Sequence, residues 1–93
     1  MENITDKNTI MNAEGSVLIT IIKQSLSVLD DLIQISSDAG DEVISNEISK
    51  EYNIIEKMYH KVKQNNVLSL FERNQFRLIM KQNIKQVGLY SAN

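Results

Sequence analysis

The chain is expected to be all-α, a small antiparallel three-helix bundle with helices at about 16–37, 42–64 and 70–87. Two observations carry that expectation. Apolar residues recur at three- and four-residue spacings in three successive segments, the signature of amphipathic helices. Proline is absent, and the only glycines, Gly15, Gly40 and Gly88, fall at the edges of those segments, where they punctuate.

The first helix is the most apolar. Eleven of the nineteen residues from Val17 to Ile35 are Val, Leu or Ile. At about 100° per residue they wrap roughly 200° of a helix. One row runs through positions 19, 22, 26, 29 and 33, and an adjacent one through 18, 21, 25, 28, 32 and 35. The remaining arc is polar, with Thr20, Lys23, Gln24, Ser27, Asp30 and Asp31. The β-branched run Val17–Ile22 also suits a strand, but no second strand candidate exists to pair with it. Ser25 falls mid-face, where a small side chain either admits a close neighbour or bonds to its own helix backbone.

Ser36-Ser37-Asp38-Ala39-Gly40-Asp41 supplies a stop and a restart: Gly40 suits a left-handed helix end, and Asp38 or Asp41 can cap the next helix. The second helix places Ile44, Ile48, Tyr52, Ile55, Met58, Tyr59 and Val62 within roughly 120°, an ordinary core face. Glu51 projects at the edge of that face and calls for a cationic partner or water. Asn65-Asn66 ends the helix. Ser69-Leu70-Phe71-Glu72 then matches a capping box and starts the third helix near Leu70, although Arg73 occupies the position where a staple residue would meet Leu68. Phe76, Ile79, Met80, Ile84 and Val87 share its core face before Gly88. Residues 1–12 and 89–93 read as frayed ends of a single domain spanning 1–93.

Ninety-three residues make a domain of marginal stability, for which an extra interface is an advantage. The surplus apolar arc of the first helix therefore predicts a partner, either a second copy in a homodimer or a dedicated protein. The expected interface is the flank Val17, Ile21, Ser25, Val28, Leu32 and Ile35, or the opposite flank Ile19, Ile22, Leu26 and Ile33.

Charge is uneven along the chain. Residues 1–47 hold nine acids against Lys7 and Lys23, and residues 48–93 hold eight bases against Glu51, Glu56 and Glu72, so the net −2 hides a dipolar molecule. Arg73, Arg77, Lys81 and Lys85 are spaced to form a ridge on the third helix, and Lys50, Lys57 and Lys61 form another on the second. Such ridges are usual on solvent faces, but they also suit an acidic protein surface or nucleic acid. Nucleic acid is the less favoured of the two. The chain holds five aromatic residues, several needed in the core, it shows no recognised DNA-binding motif, and its net charge is negative.

Catalysis has little to stand on. There is no cysteine and only one histidine, His60, which projects away from the apolar face one turn after Glu56. No phosphate loop, nucleophile motif, calcium loop or carboxylate–histidine metal spacing is present, so no cofactor or metal is expected. The acidic start lacks the character of a secretory leader, and Lys23 cuts the longest apolar run far short of a membrane span. The expectation is a cytoplasmic, non-enzymatic interaction protein of the inhibitor, immunity, chaperone or adaptor type. Its alternative is a nucleic-acid-binding regulator using the basic ridge of the last helix.

Overall fold

A computed structural model describes residues 7–91, with side chains described for residues 9–88. The described chain is all-α, without a strand: α1 (Lys7–Asn12), α2 (Gly15–Asp38), α3 (Glu42–Lys63) and α4 (Leu70–Ser91). The three long helices are the expected ones, with two departures. α1 falls in the stretch read from sequence as frayed, and α4 runs through Gly88 rather than ending there. Gly88 lacks the positive φ of a helix stop, and an isolated glycine weakens a helix by about 1 kcal/mol without terminating it.

α2 is the central element. It packs chiefly along α3, while α4 closes over it and α1 packs on α4. Leu18, Ile21, Ile22, Leu29 and Leu32 of α2 meet Ile48, Ile55, Met58 and Val62 of α3 and Phe76, Ile79 and Met80 of α4 in one core. The wide apolar arc of α2 is thus consumed by neighbours on more than one side. Three of its small polar residues bond to their own helix: Thr20 to the Ser16 carbonyl, Ser25 to that of Ile21 and Ser36 to that of Leu32. This removes the desolvation penalty that the buried Ser25 and Ser36 hydroxyls would otherwise carry.

The two turns have a common design. Gly40 at φ 81° lets its N–H reach the Ser37 carbonyl while Asp41 N–H reaches Ser36, closing α2 as a Schellman motif. Asn65 at φ 65° does the same for α3, with bonds from Asn65 to Val62 and from Asn66 to Lys61. Asp41 stands at the N-cap of α3, but its carboxylate makes no capping hydrogen bond there, and Asp38 instead accepts from Gln34 in the last turn of α2. α4 begins with the expected capping box: Glu72 N–H donates to Ser69 Oγ at 3.1 Å, and Ser69 N–H donates to Glu72 Oε1 at 3.0 Å.

Arg73 explains α1. It is only 7% exposed. Its Nη1 donates to the carbonyls of Ile10, Met11 and Ala13, and its Nε donates to that of Leu68. The guanidinium thereby caps the end of a six-residue helix too short to persist alone, while Ile10 enters the core. The expectation that Arg73 belongs to a solvent-facing ridge is corrected: charged-residue spacing does not reveal that a helix end needs a donor beside it.

No helix among the described residues is long and apolar enough to cross a membrane.

Candidate docking surface

The flank of α2 expected to form an interface is mostly interior. Ile21, Ser25 and Leu32 are buried and Val28 is half-buried; only Val17 and Ile35 are exposed, at opposite ends of the helix. At a rise of about 1.5 Å per residue they lie roughly 27 Å apart, too far to form one contact patch. The opposite flank is no freer, with Ile22 buried and Ile19, Leu26 and Ile33 half-buried against the core.

Besides Val43 at the start of α3, the most exposed apolar residues gather around the start of α4. Val67, Leu70, Phe71 and Leu78 are 79%, 71%, 78% and 49% exposed. Helical geometry explains why the last three share a side: Leu70 and Phe71 bracket one direction, and Leu78, about two turns on, returns between them. Phe76, Ile79, Met80 and Asn83 take the opposite side into the core. α4 is therefore apolar on both faces.

The same outer arc carries exposed Asn74, Lys81, Gln82 and Lys85, with half-buried Arg77 at its edge. Arg77 Nη2 donates to Asn74 Oδ1 at 3.1 Å, but its buried Nε has no acceptor, alone in this among the described buried side-chain polar atoms. The arc holds no acid. Glu72, the only acidic residue in α4, faces α3, where Lys61 Nζ meets its Oε1 at 2.9 Å. Ser69 N–H, and then Lys61, hold the Glu72 carboxyl below its ordinary pKa.

The two expected basic ridges are thus reduced. Arg73 is an internal cap and Lys61 is paired with Glu72; Arg77, Lys81 and Lys85 remain along α4, and Lys50 and Lys57 remain exposed on α3. Asn83, which the sequence did not single out, is buried and donates to the Ile79 carbonyl and to Glu51 Oε1 at 3.0 Å. It supplies the donor that Glu51 needs, an amide in place of a cation. The Lys61–Glu72 and Glu51–Asn83 contacts fix α3 and α4 as antiparallel and bring Lys57 level with Arg77 along the bundle.

Elsewhere the chemistry is sparse. A cavity of about 250 Å³ beside the start of α2 is lined by Glu14, Gly15, Asn65, Asn66 and Arg73, among others. Its one cation is already committed to backbone carbonyls, and Glu14 at its wall opposes an anion. His60 is exposed and stacks edge-on to Tyr59, whose ring also lies under Lys63. No group of acidic and histidine side chains among the described residues is placed to hold a metal ion. Compared with protein-family models, with curated proteins and with solved structures, the chain matches none of them.

Proposed function

We propose that this chain is a non-enzymatic protein-interaction module that docks through the outer face of α4. The carrying observation is that Leu70, Phe71 and Leu78 are exposed on one side of a helix whose other face already fills the core, with Val67 exposed just before it. Large apolar residues exposed together on one side of a helix mark an interaction site more often than scattered single ones do. Leu and Phe anchors ringed by longer polar side chains give the arrangement in which a few central residues carry most of an interface's energy. The role fits a protein that inhibits, protects or escorts a partner in a reducing cytoplasm, consistent with a chain free of cysteine.

A photocrosslinking amino acid at Asn74, in the middle of the face, tests this in the protein's own cells, with Asn46 on α3 as the control position. A discrete protein adduct from position 74 that is absent from position 46, and lost when Phe71 is changed to Ser, is the expected result. Adducts equal at both positions, or adducts to nucleic acid, would overturn the proposal.

A further inference from the structure

We infer that the surface received by α4 is an apolar groove or helix rimmed by acidic side chains. The inference rests on the docking reading above and adds the partner's chemistry.

Two observations lead to it. The outer face of α4 runs from the apolar group Leu70, Phe71 and Leu78 into Arg77, Lys81 and Lys85, and none of these cations makes an ion pair among the described residues. A complementary surface must oppose them with negative charge, since potentials across specific interfaces are matched. Second, Arg77 Nε is a donor without an acceptor at the edge of the same arc, and a guanidinium is matched to a carboxylate by paired hydrogen bonds. Charge opposes a parallel pairing of α4 with α4 of a second copy more than an antiparallel one. An antiparallel α4 pair that matched Leu70 and Phe71 with Leu78 of a second copy would bring Lys81 and Lys85 toward the end of that copy where exposed Lys63 and exposed Glu14 both stand. A parallel pair would set each lysine beside its own equivalent. The outer face of α4 offers no acid to relieve the parallel arrangement.

Nucleic acid and anionic lipid fit less well. Large apolar side chains occupy the centre of the surface, where phosphates would need cations. Lipid-binding clusters gather about four to eight basic residues, and this arc has Arg77, Lys81 and Lys85.

The test uses the full chain, isotopically labelled for NMR, and two synthetic amphipathic helical peptides. Both peptides carry the same Leu/Phe stripe; one has Glu along its rim and the other Lys. The Glu peptide is expected to shift the amides of Leu70, Phe71, Leu78, Lys81 and Lys85 and to bind about tenfold more tightly than the Lys peptide at low salt, the combined effect of three exposed rim pairs. The double variant Lys81→Glu, Lys85→Glu is expected to invert that order. Because both lysines are exposed, the variant keeps its fold, which its amide spectrum verifies. Equal binding of both peptides at α4 would overturn the acidic partner while leaving the docking face intact. A dimer in sedimentation equilibrium, with the α4 amides shifting with protein concentration alone, would replace the partner by a second copy. Tighter binding to phosphatidylglycerol vesicles than to either peptide, or no shift on α4 with any probe, would overturn both the inference and the docking reading.

Discussion

Arg73 and Glu72 stand side by side at the start of α4 and do opposite jobs. Arg73 donates to the carbonyls of Ile10, Met11 and Ala13 at the end of α1. Replacing it with Ala should destabilise the protein by about 2 to 3 kcal/mol, since charged donors to buried carbonyls are lost. Lys should restore little, because a single ammonium cannot span Leu68 and the α1 carbonyls as the planar guanidinium does. Urea unfolding measures the loss, and hydrogen exchange at the Ala13 amide, which bonds to Thr9, reports whether α1 detaches.

Glu72 joins the capping box to α3 through Lys61, and its lowered pKa makes the joint pH-dependent. Its folded-state pKa lies below the unfolded one. Its contribution is therefore complete above the ordinary carboxylate range and is lost as pH falls through the folded-state value. Glu72→Gln keeps a box-forming side chain but no charge, so its stability should lose this acid-side dependence. Glu72→Ala should cost about 1 kcal/mol at neutral pH, as the loss of a helix cap does. Both sides of the ion pair are partly exposed, which limits the Lys61 share. Denaturant midpoints of the three proteins at several pH values compare these outcomes.

At the scale of elements, the glycines separate helix ends from helix interiors. Gly40 has φ 81° in the α2–α3 turn, whereas Gly88 is helical with open space where a Cβ would stand. Gly40→Ala should destabilise by about 1 to 2 kcal/mol, the cost of a left-handed L-residue. Gly88→Ala should stabilise by about 0.5 to 1 kcal/mol, through helix propensity. Thermal unfolding of the two variants should therefore move in opposite directions. The three long helices, their turns and the capping box were legible because each is written in local spacing and local chemistry. What escaped was tertiary. α1 exists because Ile10 finds the core and because Arg73, sixty or more residues away in sequence, finds its carbonyls. Asn83 likewise gains its role from Glu51 on another helix. The widest apolar arc is that of α2, but a central helix needs a wide arc. The surface left over lies on α4, where apolar residues on both faces blur the periodicity.

For the whole molecule, the question is which apolar residues hold the fold and which are spare. At about 0.05 to 0.15 kcal/mol per residue, a domain of this length is stable by roughly 5 to 14 kcal/mol, so one emptied core site is decisive. Leu32 is buried in the expected interface flank of α2, while Phe71 is exposed on α4. Leu32→Ala should cost about 2 to 5 kcal/mol, from lost transfer energy and the cavity left behind. Phe71→Ser, which removes a larger side chain, should change stability by no more than about 0.5 kcal/mol, as expected of a surface site. The order is the reverse of what side-chain size alone predicts. Circular dichroism in urea decides it: a large loss at Leu32 with little change at Phe71 means that α2 is core and the apolar end of α4 is surface not used for folding. A comparable loss at Phe71 would mean that α4 packs its outer face within the monomer, leaving no apolar surface there for another protein.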